Sequence, residues 1–226
     1  MRAIVSLSGG LDSTVLLAQV LRDIRPNDLM AVAFYYGSKH NQYENQAASQ
    51  IAGYYEVSFR LIDLSGVMAG FRSDLLLSGG DIPEGHYEAE SMRQTVVPCR
   101  NLIFASVLAG LAESVGAATM YLGVHAGDHF IYPDCRPRFI DAAREAIAAA
   151  TDGKVSLRVP FLQLTKDDIV REGLLLNVPF ALTRTCYKAQ PLACGKCGSC
   201  QERLTAFAAN NTEDPLSYLS CELLSK

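Results

Sequence analysis

The chain has 226 residues, enough for one sizeable α/β domain with an appendage. Its composition, 49% hydrophobic and 19% charged, is that of a globular protein, and we expect neither a membrane-spanning run nor a signal peptide, hence a cytoplasmic location and no membrane partner. The net charge of −4 argues against direct nucleic-acid binding over a broad surface.

Along the chain, short β-branched runs alternate with helix-like stretches. Strands are predicted over residues 3–7, 29–36, 57–64, 119–124 and 155–159, and helices over 13–23, 42–52, 101–115, 137–150, 165–172 and 201–208. This alternation predicts an α/β fold with a doubly wound, mostly parallel sheet and ligands at the carboxyl ends of its strands. The stretch 101–115 is apolar nearly all round and is expected to be a buried helix. Residues 65–97 lack periodicity and are expected to form a long functional loop or lid.

The link between the first strand and the first helix reads Ser-Gly-Gly-Leu-Asp-Ser, residues 8–13. Its glycines permit a tight turn, and a helix start directs N–H groups and partial positive charge at an anion. Asp12 suits a divalent cation beside a phosphate. The segment is neither a Walker P-loop nor a dinucleotide fingerprint, but it resembles the pyrophosphate loop of the N-type ATP pyrophosphatases. That resemblance implies Mg²⁺ with ATP, bound by Ser8, Gly9, Gly10, Leu11, Asp12 and Ser13.

Two further sites carry basic residues near predicted element ends. Lys39 and His40 follow the second strand, where they either meet a phosphate or substrate carboxylate or lie on the surface. Arg100 opens the apolar helix, a position where anions gather, and a solvated face does not explain an arginine there. We therefore interpret Arg100 as a ligand contact.

The segment after the fourth strand, residues 123–137, is rich in polar groups. His125 and His129 have the spacing of a helical metal pair, but a proline and the strand exit argue against a helix, so catalytic metal ligation is disfavoured. We interpret Asp134 and Arg136 as a donor–acceptor pair for a purine-like ring and a carboxylate, with His129 as a further substrate contact.

A cysteine cluster with the spacing C-x7-C-x2-C-x2-C comprises Cys186, Cys194, Cys197 and Cys200. Such a knuckle suits a closed four-sulfur zinc site. An iron–sulfur cluster and a redox or sulfur-relay role are alternatives. Lys188, Lys196 and Arg203 are expected to neutralise part of its charge, and Lys188 is a candidate substrate contact. Cys135 as a covalent nucleophile is a weaker alternative, since the sequence places no base beside it.

Five motifs in order resemble the 7-cyano-7-deazaguanine synthase family (QueC) of the PP-loop superfamily. They are the first loop, Y-G-S-K-H at 36–40, V-P-C-R-N at 97–101, Y-P-D-C-R at 132–136 and the cysteine pattern, and they cover nearly the whole chain. The resemblance implies an adenine nucleotide alpha hydrolase-like (Rossmann-like) fold with a C-terminal zinc knuckle, and a homodimer. We expect an ATP-pyrophosphatase domain over 1–180 and a zinc-binding helical segment over 181–226 packed on it.

The activity implied by the resemblance converts 7-carboxy-7-deazaguanine and ammonia to a nitrile. ATP activates first the acid and then the amide, with release of AMP and pyrophosphate. In this scheme the catalytic residues are Asp12, Lys39 and Arg100, and the substrate-binding residues are His129, Asp134, Arg136 and Lys188.

Departures from the family pattern leave alternatives open. Cys99 stands where the family usually has glycine, and Ser38-Lys39 where it usually has Gln-Arg. A relative that stops at the amide, for DNA or RNA modification, is therefore the main alternative. A tRNA-thiolating enzyme and a non-catalytic nucleotide-binding module rank behind it.

Overall fold

A computed structural model describes residues 2–220 and contains a five-stranded parallel sheet. The strands are β1 (Ala3–Ser6), β2 (Leu29–Tyr35), β3 (Ser58–Asp63), β4 (Thr119–Tyr121) and β5 (Ser156–Arg158), in the spatial order β3-β2-β1-β4-β5. Ala3 of β1 is in register with Leu29 on one side and with Thr119 on the other. The predicted sheet is confirmed, and its order reverses beside β1, which opens a crevice at the carboxyl ends of the central strands.

Seven α-helices connect and follow the strands in the described part of the chain. They are α1 (Leu11–Val20), α2 (Asn41–Tyr54), α3 (Ser65–Met68), α4 (Arg100–Ser114), α5 (Pro137–Ala150), α6 (Lys166–Leu175) and α7 (Gly198–Ala209). Short 3₁₀ turns occupy Pro26–Asp28, Glu90–Thr95, Ala126–His129, Pro133–Cys135 and Phe180–Leu182. The predicted helices are thus confirmed, with ends shifted by a few residues.

The core lies on both faces of the sheet. Ile4 packs on one face with Leu108 of α4 and Ile140 of α5. Its neighbours in β1 point to the other face, where α1, α2, α6 and α7 supply apolar side chains that include Leu16, Ile51 and Phe207. Because helices cover both faces, the strands read as continuous apolar runs.

Helix α4 is not buried all round, so that expectation is wrong. Leu108 and Ala112 on its inner face are buried, whereas Leu102 is 44% exposed on the outer face. By length and mean hydropathy, 1.5, the stretch Glu90–Ser114 could cross a membrane, but the core helix of a folded protein meets the same criteria, and residues 96–99 separate its 3₁₀ turn from α4. Its inner face belongs to the core under the sheet, which accounts for much of this apolar composition.

The long loop predicted over residues 65–97 is present over residues 69–89, which hold neither helix nor strand, whereas α3 and the 3₁₀ turn Glu90–Thr95 occupy its two ends. The Lys39 ammonium group holds this loop by donating to the carbonyl oxygen of Asp74 at 2.8 Å and to two further loop carbonyls. Farther along, the Gly85 N–H donates to the Lys196 carbonyl oxygen at 2.9 Å. The loop therefore lies against the cysteine-rich segment.

Candidate active site

The carboxyl ends of the central strands open into a cavity with about 1130 Å³ of empty space that includes open solvent. Its walls come from the turn after β1 and the segment after β4, and from the first turns of α2, α4 and α6. The chain around Cys186, the first cysteine of the cluster, completes them. Several predicted site residues line it: Ser8, Gly10, Leu11, Asp12, Ser13 and Arg100. The cavity thus lies where a parallel sheet of this order places its ligands.

The turn from β1 into α1 is held by its own hydroxyl groups. The Ser8 N–H donates to Ser13 Oγ at 3.2 Å, and the two hydroxyl oxygens lie 3.0 Å apart. Gly9 has a φ of +83°, and a Cβ there would lie 2.4 Å from the Glu44 carbonyl oxygen. Helix α2 therefore packs directly on the turn, and only glycine fits at position 9.

Asp12, in the first turn of α1, is paired with a lysine that sequence reasoning missed. Lys166 Nζ lies 2.7 Å from both Asp12 carboxylate oxygens and 3.2 Å from the Glu202 carboxylate. Burial is the largest influence and raises the pKa of Asp12, but the charges of Lys166 and His125 and the hydrogen bonds to the carboxylate together hold the pKa below the usual value. A lysine at the first residue of α6 opposes the helix dipole and needs an acidic partner, which is the signal that could have revealed it.

A second charged cluster forms the other side of the cavity. His40 Nε2 lies 3.3 Å from a Glu44 carboxylate oxygen one turn along α2. Burial, together with the charges of Arg100 and Arg184, lowers the pKa of His40 to about 3. Burial raises the pKa of Glu44 to about 8, although the same two arginines oppose the shift. Glu44 was not predicted, but its i, i+4 spacing from a histidine on a helix face was readable in the sequence.

Arg184 joins this cluster to the cysteine-rich segment. Its guanidinium donates to the carbonyl oxygens of Lys188 at 2.8 Å, Gln190 at 2.7 Å and Pro191 at 2.9 Å. The Arg184 backbone N–H donates to the Gly9 carbonyl oxygen at 2.7 Å. One arginine therefore ties the turn after β1 to the chain between the first two cysteines.

Aromatic rings form much of the remaining wall. Phe34 stacks on Phe104 with ring centroids 4.1 Å apart. The Tyr87 hydroxyl donates to Asp128 at 2.7 Å, and the Tyr132 and Tyr187 hydroxyls lie 3.5 Å apart. Aromatic faces with hydroxyls at their edges suit a planar heterocycle that needs stacking and a few polar contacts.

Five of the residues predicted for catalysis or substrate binding lie outside the cavity lining: Lys39, His129, Asp134, Arg136 and Lys188. Asp134 accepts a hydrogen bond from the Asn101 N–H at 2.8 Å, at the start of α4. Arg136 Nε donates to the His129 carbonyl oxygen at 2.9 Å, and Lys188 pairs with Glu84. Asp134 and Arg136 thus make separate contacts, and the structure does not bring these five residues together with the turn after β1.

The four cysteines converge as predicted. Their sulfur atoms lie within 4.8 Å of one another, and all four residues are buried. Backbone N–H groups point at the sulfurs, including those of Cys197 and Lys196 toward Cys194 Sγ at 3.2 and 3.3 Å. This cluster could hold a metal ion. Arg203 was expected to offset its charge, but it is fully buried and paired with Asp214 at 2.7 Å instead.

Two solved structures share the fold. They are the U34-tRNA thiolase NcsA from Methanococcus maripaludis with its [4Fe-4S] cluster and NMN synthetase from Francisella tularensis. Each has a TM-score of 0.51 and 14% identity, and the alignments cover 93% and 94% of this chain and 65% and 78% of those chains. The sheet order, the turn after β1 and these neighbours define a PP-loop-like α/β protein.

Within that class, this chain belongs to the family described as "Queuosine biosynthesis protein QueC", whose sequence profile matches residues 2–211. A relative from Hahella chejuensis is 42% identical over 97% of this chain and 94% of its own length. A relative from Desulfotalea psychrophila is 45% identical over 96% of this chain and 98% of its own length. Both are named 7-cyano-7-deazaguanine synthase.

Proposed function

We propose that this chain is an ATP-dependent, AMP-forming ligase that converts 7-carboxy-7-deazaguanine and ammonia to 7-cyano-7-deazaguanine. Family membership and relatives of 40–45% identity with that name support the product, and they do not favour the amide-forming alternative. The observation that carries the proposal is that the turn Ser8–Ser13, which includes Asp12, lines one cavity together with Arg100. A likeness of 14% identity to a tRNA thiolase shows the fold alone.

The chemistry requires two activations by ATP. The substrate carboxylate attacks the α-phosphorus of ATP, pyrophosphate leaves, and ammonia then displaces AMP to give an amide. The amide oxygen is activated in the same way, and loss of a second AMP leaves the nitrile. In this proposal the turn after β1 binds the pyrophosphate, and Arg100 stabilises charge that develops on the acyl adenylate.

The donor groups of the cavity fit a magnesium ion supplied with ATP. Asp12, Asp128 and Glu202 all line the cavity and present carboxylate oxygens, the ligand type that Mg²⁺ prefers. These residues would hold the ion, which neutralises phosphate charge when bound. The four-cysteine cluster fits a structural zinc ion, because four converging sulfurs leave no position open for substrate.

Because Lys39 and the four predicted substrate contacts lie outside the cavity lining, they have no part in the proposed chemical step. Lys39 holds the loop of residues 69–89 through backbone carbonyls, so we assign it to positioning that loop. Roles in substrate binding for His129, Asp134, Arg136 and Lys188 stay predictions. Cys99 lies outside the cavity lining, so the substitution at this position gives no reason to expect a changed product.

The remaining expectations form part of the same proposal. We propose a homodimer in the cytoplasm, with residues 181–226, described to 220, as a metal-binding segment on a domain of residues 1–180. Helix α7 of that segment contributes Ala206 and Phe207 to the core shared with α1, which supports one packed unit. Light scattering of the purified chain tests the dimer.

The deciding experiment is mass spectrometry of the products formed from 7-carboxy-7-deazaguanine, ATP, Mg²⁺ and ammonium, with AMP counted per turnover. Two AMP and a nitrile are expected. One AMP and a persistent amide would move the chain to the amide-forming class. Absence of AMP would contradict both and favour the non-catalytic nucleotide-binding module.

A further inference from the structure

The proposed reaction needs a group that takes a proton from the nitrogen nucleophile. Ammonia is almost entirely ammonium at neutral pH, and ammonium has no lone pair with which to attack an acyl carbon. A base placed in the cavity would supply ammonia where it reacts. This inference rests on the proposed function.

Four carboxylates line the cavity in the described chain, and three of them already have partners. Asp12 and Glu202 are paired with Lys166, and Asp128 accepts the Tyr87 hydroxyl at 2.7 Å. Glu44 differs, since the one close polar contact of its side chain within residues 2–220 is the 3.3 Å approach of His40. It is therefore the cavity carboxylate most available to a ligand.

The two histidines of the cavity, His125 and His40, also differ in whether their ring nitrogens have partners. His125 Nδ1 accepts the Gly127 N–H at 3.1 Å, and its Nε2 lies 3.5 Å from Asp128. His40 Nδ1 is buried and has no hydrogen-bond partner within 3.5 Å among the described residues, although the Tyr187 backbone interacts with the His40 ring. Because buried polar atoms normally have partners, a buried ring nitrogen without a close partner beside an available carboxylate leaves room for a small donor.

We propose that Glu44 and His40 form the site that binds ammonium, with Glu44 as the acceptor of its proton. Ammonium donates to the Glu44 carboxylate, and proton transfer leaves a neutral carboxyl group and NH₃. The nitrogen lone pair attacks the acyl carbon, the bond from that carbon to the phosphate oxygen breaks, and AMP leaves with the electron pair. The amide nitrogen then releases its extra proton to solvent, and Glu44 likewise loses to solvent the proton that it took from ammonium. His40 acts as a positioning residue.

The surroundings of Glu44 suit this step. It faces His40 on its own helix, Arg100 from α4, Arg184 from the segment before the first cysteine, and Tyr36 from the end of β2. A pKa of about 8 places this carboxyl near the working pH, where proton transfer is most efficient. The two arginines attract the anionic acyl adenylate and make a neighbouring ammonium ion easier to deprotonate.

The test compares wild type, Glu44→Gln and Glu145→Gln as full-length chains. Glu145 is exposed on α5 and gives the matched control. With ammonium at pH 7 we expect Glu44→Gln to form product about 10²- to 10⁴-fold more slowly, and Glu145→Gln to match wild type. The deficit should stay constant up to about pH 8, above which Glu44 is mostly ionised, and should narrow above that pH as free ammonia from solution increases.

Hydroxylamine, used as the nucleophile in place of ammonium, distinguishes a loss of proton transfer from other defects of the variant. It is already unprotonated at neutral pH and needs no base. Glu44→Gln should form the hydroxamate within about threefold of the wild-type rate, since no base is required. An ammonium-dependent rate equal to that of wild type would overturn the inference. Equal losses with both nucleophiles would also overturn it.

Acid-dependent exchange of labelled pyrophosphate into ATP reports adenylation without any nitrogen nucleophile. Wild type without exchange and without product would mean that the proposed function fails, whatever the role of Glu44. Where Glu44→Gln itself loses exchange, Glu44→Asp decides, because it keeps a carboxylate. The aspartate variant should retain ammonium-dependent activity with a raised KM for ammonium, and activity as low as that of the glutamine variant would contradict the proposal.

Discussion

Lys166 donates to both carboxylate oxygens of Asp12, at 2.7 Å each, across 154 positions of the chain. The same ammonium group lies 3.2 Å from Glu202 of α7. The first turn of α1, the start of α6 and helix α7, which contains Cys200 of the cysteine cluster, therefore meet at one charge. The electrostatics of the turn after β1 depend on all three.

Replacing Lys166 by methionine should destabilise the fold, because it leaves two partly buried carboxylates, those of Asp12 and Glu202, without their cation. We expect the free energy of unfolding to fall by about 3 kcal/mol at pH 7, measured by denaturant titration. The pKa of Asp12 lies below 3.8 in the folded chain, so the stability from this pair is present above that pH and is lost as the pH falls through the folded pKa. The difference in free energy of unfolding between variant and wild type should become smaller in acid. A constant difference from pH 7 to pH 3 would contradict this account.

Gly9→Ala tests the close packing of α2 on the turn. A Cβ at a φ of +83° would meet the Glu44 carbonyl oxygen at 2.4 Å and the Ala48 nitrogen at 2.6 Å. We expect a loss of more than about 1 kcal/mol in stability and a large loss of ATP affinity by calorimetry. Gly110→Ala is the control, since a Cβ there meets open space on α4 and should stabilise the helix by about 1 kcal/mol. Equal effects of the two changes would show that the turn tolerates a side chain.

Cys197→Ser tests the proposed zinc site. Wild type should contain one zinc ion per chain by elemental analysis and show no visible absorption, whereas an iron–sulfur cluster would colour the protein. The serine variant should lose the metal and unfold at a lower temperature, because metal binding and folding are coupled. Cys99, which is exposed and outside the cluster, gives the matched control as Cys99→Ser. Retained zinc in Cys197→Ser would remove this residue from the ligand set.

Cys99 adopts the left-handed conformation, with φ +54° and ψ +23°, directly before α4. A side chain there costs roughly 1–2 kcal/mol relative to glycine, partly offset by the greater chain entropy of glycine when unfolded. Cys99→Gly should therefore raise the melting temperature by a few degrees, whereas Cys99→Ala should not. The product should stay the same in both variants, because Cys99 does not line the cavity.

Local patterns predicted most of the fold because the relevant signals are short-range. Alternation of strands and helices, the glycine turn and the cysteine spacing each lie within a few residues, and the structure has all three. The errors come from tertiary packing. Apolar composition suggested that α4 is buried all round, but composition does not reveal how many faces have neighbours.

The sequence predicted only part of the cavity, because some of its residues come together only through tertiary packing. Ser8 and Asp12 follow β1 directly, so topology alone brings them to the edge of the sheet. Lys166 and Glu202 reach the same point from distant helices, which no local spacing encodes. Conversely, Asp134 and Arg136 are near neighbours in sequence, yet the 3₁₀ turn between β4 and α5 sends them to separate contacts.

Arg184 connects the turn after β1 to the cysteine-rich segment, so that the order of one depends on the order of the other. Its guanidinium is held by the carbonyls of Lys188, Gln190 and Pro191, which lie between the first and second cysteines, while its backbone holds Gly9. Whatever orders the four sulfurs also orders this stretch, and with it the arginine beside the turn. If the cysteine site holds metal and the turn binds nucleotide, as proposed, the two binding equilibria are linked, and linkage is reciprocal. The factor by which metal would strengthen nucleotide binding is then the factor by which nucleotide would strengthen metal binding.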